Sequence, residues 1–450
     1  MEDKPANKLS LLGSVSLGTG VMIGAGIFAL MGQVAALAGN LFPLAFLVAA
    51  VVVGLSSYSY IRLSNAYPSS GGVASYLRRA YGPGTLAGSL SLLMYVSMVI
   101  AESLVARTFG AYTLRLFTAE NLSVLVPALG VGLLAFAYVI NIAGNKIIGS
   151  TATAMAIIKI LGIALFAIAG IAVANFTSLD NWGYVAGSSE SASVTYSFVA
   201  ALALSILAYK GFTTIANQGG DIVNPHRNVG RAIIISIAIC TVIYVALALA
   251  VSGNLSVQEI VVAQNYALAE AAKPVFGDFG LWFTVLLAIV ATVSGIIASV
   301  FSASRLLAML SRMKQLPDFS GHFKSPALIY TILLAMTLTI LFDLSRIAAI
   351  GAIYYLIMDM SVHWGVFRRL RQEIGANPII PLVAILFDIV ILAAFLSQKF
   401  QDDRLVLIVS LVGLILIVVT QRLFMLTHTD RDGTMHMEME MDEGESEGNK

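Results

Sequence analysis

The chain has 450 residues, 58% hydrophobic and 11% charged, with a mean hydropathy of +0.88 and a formal net charge of +1. A soluble domain carries about 25% charged residues, so this composition defines a polytopic membrane protein. The near-zero charge offers no footing for nucleic acid, and the single cysteine, Cys240, excludes an internal disulfide framework and cysteine-built zinc sites.

Residues 1–8 are polar with no cleavage-type signal behind them, and the first apolar run is long enough to remain as a span. Runs of about 20 apolar residues predict twelve spans, near 9–37, 41–66, 84–117, 123–143, 147–173, 192–217, 231–253, 279–314, 325–342, 345–371, 378–397 and 404–427. With a cytoplasmic N-terminus, most Lys and Arg, including Lys8, Arg78, Arg79, Arg227, Arg305 and Arg369, fall on the inner side. Only Arg115, Lys273, Arg346, Lys399 and Arg404 fall outside. This bias predicts both termini in the cytoplasm; a multi-pass protein of the cell (plasma) membrane is expected.

Span 1 is interrupted at its middle by Val21-Met22-Ile23-Gly24-Ala25-Gly26-Ile27-Phe28. Glycine weakens a helix and permits close approach. In lipid, loosened backbone is tolerated only where protein buries it or a wet cavity borders it, so freed N–H and C=O groups are expected there for a ligand. After span 2, the turn Tyr67 to Gly72 leads into an amphipathic stretch, Val73 to Tyr81, expected at the inner membrane surface. Span 3 carries Glu102 and Arg107, five residues apart and therefore not on one helix face. Span 5 carries Lys159.

Span 6 contains a second break, Ile206-Leu207-Ala208-Tyr209-Lys210-Gly211-Phe212, five spans after the first. Paired interruptions in corresponding halves mark an inverted-repeat transporter with its site near the bilayer midplane. Beyond span 7, Ser256-Val257-Gln258-Glu259 has the form of a capping box, and Tyr266 to Val275 is a short helical stretch expected to form an outer lid. Asp359 and His363 in span 10 and Asp388 in span 11 complete the intramembrane polar set. Such groups are functional candidates by default, set against structural pairing within the bundle; Glu102, Asp359 and His363 suit either a proton path or salt bridges, and Asp388 reads as structural. The segment 429–450, with Met435, His436 and Met437 followed by acids, reads as a disordered cytoplasmic tail.

The segment Gly18 to Phe28, the Tyr67–Gly72 turn, Ala208 to Phe212, Asn224 to Ala232, and Ser304 to Arg312 with Leu316-Pro317 resemble amino acid permeases of the amino acid-polyamine-organocation superfamily, in particular its sodium-independent, proton-coupled members. The resemblance implies an all-α leucine-transporter-type fold: twelve transmembrane helices, a five-plus-five inverted repeat (about 9–173 and 192–371), discontinuous helices 1 and 6, and peripheral helices at about 378–427. Residues 1–428 then form one transmembrane domain. It implies alternating access, with spans 1, 2, 6 and 7 rocking against 3, 4, 8 and 9.

On the same resemblance the substrate carboxylate lies on the backbone N–H groups of Gly24, Ala25 and Gly26, at a half-helix N-terminus whose dipole suits an anion. The ammonium meets carbonyls around Ile23 and Leu207 to Lys210, through Ala208, while Tyr209, Gly211 and Phe212 shape the pocket. Lys159 stands where sodium-coupled relatives bind the ion; as a proton-coupling residue, with Glu102, it is expected to bridge spans 1 and 8 when charged and release them when neutral. Lys210 departs from the family, as does Thr213, where an acid is common. Lys210 suits pairing with Glu102, binding an extra substrate carboxylate, or repelling cationic substrates.

The expected function is proton-coupled symport of an amino acid, with protons and the lipid bilayer as the other partners. An ion transporter on the same fold, an amino acid exchanger and a non-transporting sensor are the alternatives. No phosphate-binding loop and no hydrolytic set occurs. Neither an enzymatic activity, nor a cofactor, nor a metal site is expected, and the oligomeric state is left open.

Overall fold

The computed structural model describes residues 8–69, 71–117, 124–143, 145–176, 191–317 and 325–429. The tail from Asp430 onward, and the side chain of Ala25, lie outside these residues. Among the described residues the chain is all-helical, apart from one isolated bridge between Leu9 and Ile222. Among the described residues, nine helices are long and apolar enough to cross a membrane, and three shorter apolar helices, Leu11–Gly24, Ile157–Val173 and Pro326–Leu341, accompany them. Apolar side chains on both lipid-facing and inward-facing surfaces explain why hydrophobic periodicity is weak. Exposed Leu, Ile, Val and Phe cover the outer helices, whereas small residues crowd the centre.

Spans 3, 6 and 10 form the centre. The windows Thr85–Leu114, Val194–Asn217 and Leu344–Leu370 are 78%, 89% and 78% buried, against 33% and 22% for Ile379–Asp402 and Arg404–Thr427. Spans 11 and 12 therefore sit toward the periphery, span 11 packed on spans 6, 10 and 2 and span 12 on spans 3 and 10.

Short elements seal the ends. Gly72–Tyr81 is helical, as its pattern predicts, with its apolar face buried and Arg79 placed 3.8 Å over the Tyr67 ring and 2.6 Å from Glu373. Ser256 and Glu259 form the full capping box at the start of Val257–Val262, and Ala267–Ala271 makes the next turn. Span 8, Lys273–Arg312, turns sharply at Gly277, whose φ of 63° is left-handed backbone that suits glycine.

Close helix approach fixes several glycines. A Cβ on Gly32, in span 1, would collide with the backbone of Gln264 between the two lid helices, and neither strand of backbone can yield cheaply. Gly32→Ala is expected to destabilise the fold by about 1–3 kcal/mol, as overpacking does, read as a lowered thermal midpoint in detergent; an unchanged midpoint would show that the lid does not rest on span 1.

Candidate transport site

The first break differs from the sequence expectation. Span 1 runs through Leu11–Val21, a π-helical turn at Met22–Ile27, and Phe28–Ala38, and Val21, Met22, Ile27 and Phe28 all keep right-handed helical angles. The backbone is widened rather than unwound. A π turn accommodates one extra residue per turn and recurs at functional sites. Glycine spacing alone does not distinguish an opened helix from a widened one, because both demand the same absence of side chains. In span 6 the helix Ser191–Tyr209 does stop, at Lys210-Gly211, and resumes as Phe212–Asn217.

The two breaks touch backbone to backbone. A Cβ on Gly26 would lie 2.5 Å from the Ala208 carbonyl oxygen, and one on Gly211 would lie 2.7 Å from the Met22 nitrogen. Gly24 faces span 8, where a Cβ would meet the Ala291 carbonyl oxygen at 2.5 Å. Tyr244 of span 7 clasps the pair: its hydroxyl donates to the Met22 carbonyl (2.6 Å) and lies 3.1 Å from the Ala208 carbonyl. Tyr244 escaped the sequence reading. Its signal is a tyrosine alone in an apolar run, whose hydroxyl must find a partner when buried.

A cavity of about 30 Å³ borders the span 6 break. That is room for about two waters, too little for an amino acid. Val21 and Leu30 of span 1, Met98, Ala101 and Leu104 of span 3, Ser299 of span 8, and Leu207, Ala208, Lys210, Gly211, Thr213 and Thr214 line it. Four of the expected site residues, Leu207, Ala208, Lys210 and Gly211, thus come together, whereas Ile23, Gly24 and Gly26 are spent on helix contacts. Tyr209 turns the other way, its hydroxyl 3.2 Å from the Phe46 carbonyl and its ring 4.9 Å from that of Tyr244; Phe212 packs edge-on against Tyr60 at 5.2 Å.

Both buried lysines are held by uncharged oxygens. Lys159 donates to the Gly20 carbonyl (3.2 Å) in span 1 and to Ser294 Oγ (2.8 Å) in span 8. Lys210 donates to the Ser97 carbonyl (2.7 Å) and Ser97 Oγ (2.5 Å) in span 3, with the Tyr355 ring 5.7 Å away. Glu102 is fully buried beside this group. Lys210 makes no ion pair with it among the described residues, and Ser299 is the hydroxyl beside its carboxylate. Arg107 reaches the Thr339 carbonyl at 2.7 Å, closing the end of span 9.

Contacts also join the helices at both ends of the bundle. On the face that the charge bias assigns to the cytoplasm, Leu9 pairs with Asp221 and Val223 (2.8 and 2.9 Å), Arg305 bonds Asp221 at 2.8 Å, and Asn217 Oδ1 accepts from the Val73 amide at 3.1 Å. On the opposite face, Gln33 donates to Asn265 at 2.9 Å, and Glu270 in the lid is bridged by Arg115 and by Lys273 (2.9 Å). Burial pushes the Glu270 carboxyl up, but the hydrogen bonds and charges of Arg115 and Lys273 outweigh it and hold the group below the usual carboxylate range.

A bundle of membrane-length helices packed round a small cavity beside the span 6 break fits a membrane transporter. The comparisons agree and narrow it. Residues 9–427 match the family model described as amino acid permease, and the chain belongs to that family. It is 30% identical over 415 residues to the inner membrane transport protein YbaT of Escherichia coli strain K12, covering 90% of this chain and 94% of that one. The serine/threonine exchanger SteT of Bacillus subtilis is 26% identical over 437 residues (92% and 97% covered). The methylthioribose transporter of the same organism is 29% identical over 341 residues (71% of each).

Two outcomes test this geometry. Tyr244→Phe keeps the ring contacts but takes the hydroxyl donor from the buried Met22 carbonyl, so unfolding in detergent should show a loss of about 1–3 kcal/mol; full stability would mean the clasp holds nothing. Glu270 stabilises only while ionised: its contribution is present above the unfolded carboxyl value and is lost as pH falls through the lowered folded value. Wild type should therefore exceed Glu270→Gln by about 1 kcal/mol near neutrality, and their thermal midpoints should converge in acid.

Proposed function

We propose that the protein carries out proton-coupled uptake of an amino acid by alternating access, with the substrate between the span 1 and span 6 breaks and Lys159 as the coupling residue. The observation that carries this reading is the position of the Lys159 ammonium, which ties Gly20, two residues before the π turn, to Ser294 of span 8. No carboxylate lies within ion-pair distance among the described residues, so releasing its proton leaves no buried anion behind and frees span 1 from span 8. The closed cavity then fits a state between the outward- and inward-facing forms.

In this reading the carboxylate reaches the N–H groups of Gly24, Ala25 and Gly26 when the π turn opens, and the ammonium meets carbonyls near Ile23 and Leu207 to Ala208. Thr213, Thr214 and Ser299 add hydroxyls that the sequence reading did not include. Lys210 and Glu102 stand beside the pocket as determinants of which side chain is accepted. Twelve spans in a five-plus-five repeat, residence in the plasma membrane and cytoplasmic termini complete the proposal. Exchange is the second reading, favoured by the printed activity of the exchanger relative.

Proteoliposomes decide between them. The substrate is found first by thermal shift over amino acids, amines and methylthioribose. An inward proton gradient should then drive its accumulation in wild type, while Lys159→Ala should still bind but only equilibrate it. Accumulation by wild type that ignores the gradient, or accumulation by Lys159→Ala against one, removes the coupling role. Uptake that needs internal substrate and not protons would establish exchange.

A further inference from the structure

Spans 2, 10 and 11 enclose a second polar cluster away from the breaks. Asp359 and His363 lie four residues apart on one face of span 10, and Asp388 of span 11 completes the group. All three are 0–1% exposed. His363 Nε2 stands 3.4 Å from Asp359 Oδ2 and 3.9 Å from Asp388 Oδ2, and one ligand atom from each residue lies within 4.8 Å of the others. Neither Nε2 nor Asp388 Oδ2 has a hydrogen-bond partner among the described residues.

We propose that Asp359, His363 and Asp388 bind a divalent first-row transition-metal ion of the zinc class, which staples the peripheral span 11 to spans 10 and 2. Charge is the first reason. Two carboxylates in a dry site need neutralising, by bound protons or by positive charge, and among the described residues no Lys or Arg comes within ion-pair distance of either; a divalent ion with a neutral imidazole makes the set neutral. Geometry is the second. Bonds of about 2.0–2.2 Å in a tetrahedron place ligand atoms about 3.3–3.6 Å apart, a small inward swing from the separations seen.

The surroundings supply the orientation that metal ligands require. Asp359 accepts from Ser56 Oγ and from the Tyr60 hydroxyl, both at 2.6 Å. Ser59 Oγ lies 2.9 Å from His363 Nδ1; when Nδ1 donates to it, the Nε2 lone pair points at the carboxylates. Imidazole with carboxylates suits zinc, iron, cobalt, nickel or manganese rather than calcium or magnesium. Aspartate in the place of the glutamate usually sought beside histidine, and a third ligand on another helix, hide this set from sequence motifs.

The test uses the purified full-length protein in detergent, stripped with a permeant chelator and reloaded with zinc alone. Wild type should hold one zinc per chain at this site by elemental mass spectrometry and gain thermal stability. Asp388→Asn, which preserves shape, and His363→Gln should each lose that one equivalent and the gain in stability. Zinc held elsewhere, as by His436, would persist in both variants. A folded wild type that binds no zinc, or bound zinc and stabilisation unchanged in both variants, overturns the proposal. Stabilisation by acid alone, in a protein that takes up no metal, would assign the cluster a shared proton instead and also overturn it.

Discussion

Everything at the centre of this molecule depends on two stretches of main chain lying directly against each other in the middle of a membrane. Gly26 rests on Ala208 and Gly211 on Met22, and no side chain fits between them. Glycine at both places is thus a packing requirement before it is a matter of flexibility. The cost is that carbonyls in both segments need donors away from water. Tyr244 reaches the two from a third helix, so spans 1, 6 and 7 are joined through a single hydroxyl.

The closure at either face is built from modest parts. Exposed and half-buried ion pairs such as Arg305 with Asp221 contribute about 1 kcal/mol or less each, and the lid rests on span 1 by one amide pair and a glycine contact. Such contacts exclude solvent without making the closed form irreversible. The buried lysines differ in kind. Lys210 hydrogen-bonds Ser97 of span 3, while Lys159 connects span 1 with span 8, so the charge on Lys159 bears on how two helices sit relative to each other.

Much of this was legible from residue patterns. The capping box at Ser256, the short helix before Tyr81 and the stop at Lys210-Gly211 follow from local chemistry and stand where the spacing put them. What was not legible depends on partners distant in sequence. Whether Met22–Ile27 opens or merely widens is decided by Ala291, Gly295 and Ala208 packed against it. The direction of Tyr209 and Phe212 depends on Tyr244 and Tyr60. Thr213, Thr214 and Ser299 reach the cavity only because spans 6 and 8 converge there. The buried Glu102 was conspicuous in the sequence, but nothing there foretold that it would stand beside Lys210 without forming an ion pair with it among the described residues.

The pairing of Leu9 with Asp221 and Val223 joins the start of span 1 to the segment that follows span 6. These are the two helices that carry the breaks, so each is also fastened at its end by main-chain bonds that carry no side-chain information. Separation of Leu9 from Val223 is therefore a direct molecular ruler for movement at that face. A pair of spectroscopic labels placed there would read the state of the cavity without touching it, whereas bulk attached just ahead of Leu9 would load the latch itself.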